Sequence, residues 1–345
     1  MSCPMSVQTL LEGWCGQVPD MTISGLSLDA SGVEPGQAYI AVAGGSAHGM
    51  VHALQAEAHG AALVIHDGLV GVPVLHIPHL AVPDLGKRLS ALGARFYHNP
   101  SDQLVLAGVS GTSGKTSTAH YIAQAWQRVG GDAGIIGGVG HGPLKSLNTP
   151  GLLSPDAITL QGMLAECIEQ GVERVAMEVS SDDLDRGRVE DMAFDVAVFT
   201  SVSRNHLDYH GSLEAYEAAR RRLFVDCHPR FAVIDHDDPA GKALARQINN
   251  GTQVLTYGTN GSTELRGSVM GMDSSGMTLS IASPWGGGDI QTGLMGSCKL
   301  SNLLAAAGTL ALMGMPWNQV MHQMEIMHPV PGRMHSLGGE PGQPV

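Results

Sequence analysis

Six consecutive residues, Gly111-Thr112-Ser113-Gly114-Lys115-Thr116, have the types and spacing to hold a polyphosphate. Glycines at 111 and 114 let the backbone turn tightly and aim several N–H groups at one point, and a helix starting there adds the positive end of its dipole. Lys115 supplies an ammonium for the β- and γ-phosphates, the Thr116 hydroxyl faces a Mg²⁺, and Ser117 continues into the helix. The position five before Gly114 is Val109, so the strict G-x-x-x-x-G-K-[ST] spacing is not met and the motif is the shorter G-T-x-G-K-T.

Two further groups could join that chemistry. Glu178 ends the apolar run Val175-Ala176-Met177, and a metal-bridged triphosphate needs such a carboxylate oxygen. An ordinary salt bridge at a strand end is the other reading of Glu178. His206 and His210 stand four apart; without a third ligand an H-x-x-x-H pair does not define a zinc site.

These side chains need a scaffold that gathers them. The run Leu104-Val105-Leu106-Ala107 reads as a buried strand entering the phosphate loop, and Ala119, Ile122, Ala123, Trp126 and Val129 fall at helical spacing after it. Gly134-Ile135-Ile136, Val175 to Val179, Val196 to Thr200 and Phe231 to Ile234 read as strands, the last three parallel. A helix stripe from Leu160 to Ile168 lies between the first two. Strands alternating with helices predict a doubly wound, mostly parallel α/β sheet with its ligand site at the carboxyl ends of the strands. Residues 263 to 290, rich in Gly, Ser and Met, predict hairpins before a helix that begins near Ser301.

Residues 1–98 form a separate small α/β unit in this reading. Its expected strands are Tyr39-Ile40-Ala41-Val42, Ala62-Leu63-Val64-Ile65 and Val74-Leu75-His76-Ile77, with helices near Val51 to Glu57 and Asp84 to Tyr97. The polar stretch His98-Asn99-Pro100-Ser101 marks the boundary, and residues 99–335 make the second unit.

Composition narrows the classes. A chain of 345 residues exceeds the usual single-domain range, and a formal net charge of −13 argues against a nucleic-acid binder. Five cysteines, far apart and without a C-x-x-C pair, indicate neither a disulfide framework nor a zinc site. No leader pattern or membrane-length apolar run is present, which predicts a cytoplasmic protein.

Four motifs occur in the order seen in Mur ligases: the phosphate loop, then Met177-Glu178-Val179-Ser180-Ser181, then Asn205-His206-Leu207-Asp208-Tyr209-His210-Gly211, and Pro331-Gly332-Arg333-Met334. The chain resembles this family over nearly its whole length, and most closely the members that extend a UDP-N-acetylmuramoyl dipeptide. The resemblance implies a UDP-binding N-terminal domain, a central ATPase domain, and a third domain of which residues 336–345 would only begin the linker. A protein partner could occupy the face that the third domain would cover. It also implies amide formation through an acyl phosphate, with ATP and Mg²⁺ as cofactors and a UDP-N-acetylmuramoyl peptide and an amino acid as substrates.

Carried over by position, Lys115, Glu178, His206 and Arg220 stand at catalytic positions, with Thr116, Glu178 and His206 as metal ligands. Lys299, Asn302 and Arg333 stand on the nucleotide side. Asp29 and Ser31 fall at the uridine end, and Ser154, Ser180, Arg186 and Arg188 along the substrate. Several positions depart from the family, among them Leu153, Asp182, Asn205 and Ala30, and two bear on the chemistry. Arg220 stands where a carbamylated lysine supports the second Mg²⁺, and a guanidinium stays protonated where a neutral amine is needed. Lys299 stands where an asparagine contacts adenine. The sequence therefore leaves open a working ligase, a catalytically silent paralogue that binds nucleotide or UDP-sugar peptide, and a phosphate hydrolase that shares only the fold.

Overall fold

Apolar runs bounded by Gly and Pro become parallel strands in two separate units. The computed structural model describes residues 4–44, 47–149, 155–201, 207–249 and 251–333. The first unit gathers the described residues up to Gln103 with two later segments, one carrying a helix and the other Arg186–Met192; the remaining described residues form the second.

The first unit opens with β1 (Met5–Ser6), α1 (Val7–Leu10) and β2 (Thr22–Ile23), and β1 and β2 pair antiparallel. Next come β3 (Leu26–Ser27), β4 (Ala38–Ala41), α2 (Ala53–Ala58), β5 (Leu63–His66), β6 (His79–Ala81) and α3 (Leu89–Phe96). Strands β3-β4-β5-β6 form a wholly parallel sheet in that order. Every residue of β4 and β5 is buried, as expected of strands covered on both faces.

One expected strand is absent. Residues 74–77 form a loop, because Glu57 Oε1 of α2 accepts the amides of His76 (2.6 Å) and Ile77 (3.0 Å) and takes them out of any ladder. Leu75 and Ile77 still pack on the core beneath, so the apolar pattern was real but served a loop. The edge strand follows at β6 instead.

The second unit begins with β7 (Val105–Ser110), α4 (Lys115–Arg128), β8 (Ala133–Gly137) and β9 (Gly140–Pro143). Helix α5 (Ala157–Glu169) then returns to the first unit, where Ile158 enters the core beside Leu92 and Phe96 of α3. The second unit resumes with β10 (Arg174–Glu178), α6 (Ser181–Asp185), β11 (Val196–Phe199), α7 (Leu207–His210), α8 (Leu213–Val225), β12 (Phe231–Asp235), α9 (Pro239–Gln247) and β13 (Gln253–Gly258). It closes with β14 (Leu265–Asp273), β15 (Gly276–Ser283), β16 (Gly286–Thr292), α10 (Cys298–Leu312) and α11 (Trp317–Glu325).

Its ten strands run in the order β16-β15-β14-β13-β12-β11-β7-β10-β8-β9. The run from β14 to β8 is parallel, and the predicted hairpins of β14, β15 and β16 add antiparallel strands at one edge. Helices α4 and α10 pack on each other and on the sheet, with Ala119, Ile122, Leu303, Leu304 and Ala307 among the fully buried side chains. Burying a leucine or isoleucine this way contributes about 1.5–3 kcal/mol. Strand β7 lies between β10 and β11, so the chain winds outward in both directions from it and opens a crevice at its carboxyl end.

Candidate nucleotide site

The crevice holds what the topology delivers: the loop after β7, and the carboxyl ends of β10, β11 and β12. A cleft of about 590 Å³ opens there, lined by Thr112 to Ser117, Gly138, Glu178, Thr200, Ser201, Asp235, Cys298, Lys299, Ser301, Asn302 and Arg333. Gly111 and Gly114 carry φ of +150° and +89°, and a Cβ at either would meet Thr200 Oγ1 or Asn302 Oδ1 respectively. Both positions thus need glycine for conformation and for close approach. Gly114 caps α4, so the helix begins at Lys115 with its first amides at the cleft.

The loop is braced by the end of β11. Thr112 N donates to Ser201 O (2.7 Å), and Thr200 Oγ1 donates to Ser113 O (2.6 Å). Lys115 Nζ donates to Gly111 O (2.8 Å), folded back on its own loop, and burial pulls its pKa below the usual lysine value. Thr116 Oγ1 donates to Glu178 Oε2 (2.9 Å), while Glu178 Oε1 accepts the Gly138 amide (2.8 Å). A hydroxyl and a carboxylate side by side are hard oxygen donors of the kind Mg²⁺ takes, so these residues fit that ion. His206, the third expected ligand, lies outside the described residues.

On the far wall, Asn302 Oδ1 faces Gly114, and Lys299 Nζ donates to Arg333 O (3.0 Å), joining the expected nucleotide-side residues. Burial lowers the Lys299 pKa.

The sequence reading missed Asp235. It ends β12 as Glu178 ends β10, so the same rule of a carboxylate closing a buried parallel strand would have found it. Its Oδ2 accepts the Ser301 hydroxyl (3.1 Å) and its Oδ1 the Asp237 amide (2.9 Å). Burial is the main reason its pKa rises to about 6.

Other expected residues lie apart from this cleft. Arg220, on α8, is not in its lining; the guanidinium donates to Ser201 O (3.0 Å) and to the Tyr216 hydroxyl. Ser180 Oγ donates to Asp183 Oδ2 (2.5 Å) at the start of α6. His210 Nε2 meets Ser181 Oγ (2.9 Å), a partner within the fold. Asp29 and Ser31 belong to the first unit, where the Ser31 amide and hydroxyl bond Asp29 Oδ1 at 2.9 and 2.7 Å and hold that carboxyl below its usual pKa. Arg186 and Arg188 lie in the segment grouped with the first unit, and Ser154 lies outside the described residues.

A glycine-rich loop between a buried strand and a helix, with a lysine, a threonine and a facing carboxylate, defines a P-loop nucleotide-binding α/β protein. The sequence pattern of the Mur ligase middle domain matches residues 109–310. The chain is 41% identical over 323 residues to the UDP-N-acetylmuramoyl-L-alanyl-D-glutamate–2,6-diaminopimelate ligase of Pseudomonas aeruginosa, covering 93% of this chain and 66% of that protein. A solved structure of a ligase of that name superimposes with a TM-score of 0.85 at 28% identity, over 98% of this chain and 70% of the other. The MurF ligase of Thermotoga maritima in complex with ADP shares the fold, with a TM-score of 0.68 at 17% identity over 91% of this chain and 68% of the other. The chain belongs to the Mur ligase family. It spans about two thirds of the length of the curated relatives it matches. Among the described residues no helix is long and apolar enough to cross a membrane.

Proposed function

We propose that this chain provides the ATP-binding and UDP-substrate-binding parts of a cytoplasmic ligase that joins an amino acid, diaminopimelate by likeness to its relatives, to a UDP-N-acetylmuramoyl dipeptide. The observation that carries the reading is the convergence of Lys115, Thr116 and Glu178 in one cleft at the start of α4. Relatives that bear this activity by name, and a family member with ADP bound, support it.

In this reading the loop amides and Lys115 hold the β- and γ-phosphates, Lys115 exchanging its bond to Gly111 O for a phosphate oxygen. Thr116 and Glu178 hold Mg²⁺. When bound, that ion offsets the charge of the phosphates. The substrate carboxylate attacks the γ-phosphorus and ADP leaves; the amine then attacks the acyl carbon, inorganic phosphate leaves, and the amine gives up a proton. Lys299, Asn302 and Arg333 face the adenosine end. Asp29 and Ser31 in the first unit take the uridine end, and Ser180, Arg186 and Arg188 contact the peptide. A silent nucleotide-binding paralogue is less favoured, because the relatives at 36–41% identity carry the name of a working ligase.

The test is to incubate the complete gene product with ATP, Mg²⁺, UDP-N-acetylmuramoyl-L-alanyl-D-glutamate and a mixture of amino acids, and to look for product by mass spectrometry. A species heavier by one amino-acid residue with stoichiometric ADP is expected. ADP and substrate binding without product would leave a binding protein on a ligase scaffold.

A further inference from the structure

Arg220 is 2% exposed, and its guanidinium is spent on the protein itself. One terminal nitrogen donates to Ser201 O (3.0 Å), the carbonyl that also receives the Thr112 amide (2.7 Å). The other donates to the Tyr216 hydroxyl, and that hydroxyl is 2.9 Å from Thr112 Oγ1. A guanidinium has no acceptor, so the phenol oxygen accepts from Arg220, and the phenol and the Thr112 hydroxyl share the second bond. Backbone and side chain of one phosphate-loop residue therefore lead, each through a single intermediary, to the same buried cation. The planar group also sits 4.1 Å from the Tyr216 ring centroid, one helical turn back on α8.

We infer that Arg220 is a positioning residue for the phosphate loop: its fork fixes Ser201 O and the Tyr216 phenol, and these two hold Thr112 in the conformation that receives nucleotide phosphates. The inference rests on the nucleotide reading of the cleft and adds to it a residue that touches no nucleotide. Two acceptors in different directions and a stacked ring suit a rigid planar fork. An ammonium on a flexible stem, a compact point charge, would serve one acceptor at the expense of the other. Burial lowers the Arg220 pKa to about 10, which leaves it charged at neutral pH.

The experiment compares the unmodified protein with Arg220→Lys, Arg220→Met and Tyr216→Phe by two readouts. In the first, hydrogen exchange of the Thr112 amide without ligand should quicken about tenfold in both Arg220 variants, the scale of one lost hydrogen bond to a charged group. In the second, ADP affinity should fall by about the same factor, and Arg220→Met combined with Thr112→Val should cost less than the sum of the two singly. Tyr216→Phe keeps the guanidinium and loses only the phenol relay, so it decides the matter if Arg220→Met does not fold. Its Thr112 amide should exchange faster than that of the unmodified protein.

Unchanged Thr112 exchange in folded Arg220→Lys or in Tyr216→Phe, with only the melting temperature lowered, would overturn the inference. Failure of the unmodified protein to bind ADP would instead strike the reading of the cleft, while the exchange measurement would still decide the role of Arg220.

Discussion

The Thr116 hydroxyl donates to Glu178 Oε2 across 2.9 Å, tying residues 62 positions apart to one point of the cleft. With Oε1 held by the Gly138 amide at 2.8 Å, both oxygens of Glu178 are oriented before any ligand arrives. In Glu178→Gln the amide oxygen can keep the Gly138 N–H and the NH2 can donate to Thr116 Oγ1, so the contacts survive while the carboxylate charge proposed to hold Mg²⁺ is lost. The ratio of ADP affinities with and without Mg²⁺ should fall toward unity, and turnover by about two to three orders of magnitude. Calorimetric titration with and without Mg²⁺ checks the first of these.

Lys115 is the only loop side chain that can bring a full positive charge to a phosphate, and without ligand it rests on Gly111 O. Lys115→Ala should weaken ADP binding by about 10- to 100-fold, the range of a charge-assisted hydrogen bond. The fold should be unaffected, as read by an unchanged circular dichroism spectrum.

Asp235 gives the cleft a pH signature. Its native pKa of about 6 lies above the ordinary 3.8, so between those values the folded state holds a proton that the unfolded state has released. Stability therefore falls as pH rises through that window, by up to about 3 kcal/mol for a fully expressed shift. Asp235→Asn keeps an acceptor for the Asp237 amide and removes the titration. Its melting temperature should exceed that of the unmodified protein at pH 7 and converge with it near pH 4.

His120, on α4, works in the opposite sense. It is buried, its Nε2 has no partner among the described residues, and burial lowers its pKa from 6.5 to about 4. The unfolded state binds the proton first as pH falls between those values, so stability is lost toward acid. His120→Leu should flatten the acid limb of the stability–pH curve in urea titrations between pH 4 and 7.

Much of the centre was legible because local pattern and topology agreed there. The strand, loop and helix from Val105 to Arg128 declared themselves, and Glu178 was legible from its place at the end of an apolar run. What escaped depended on contacts distant in sequence. The apolar residues at 74–77 looked like a strand until Glu57 claimed two of their amides. Arg220 read as a misplaced charge because nothing in the sequence tells that Ser201 O and the Tyr216 phenol will surround it. Helix α5 had the stripe of a sheet-covering helix, but the pattern does not say which sheet's core receives Ile158.

That last placement reaches into synthesis. The first unit is not a continuous stretch of chain: α5 and Arg186–Met192 complete it after β7, α4 and β8 of the second unit have already been made. An emerging polypeptide must therefore hold Leu92 and Phe96 partly uncovered until Ile158 arrives. A fragment cut at the apparent boundary near residue 98 would carry that uncovered apolar surface permanently, and would aggregate more readily than the intact chain.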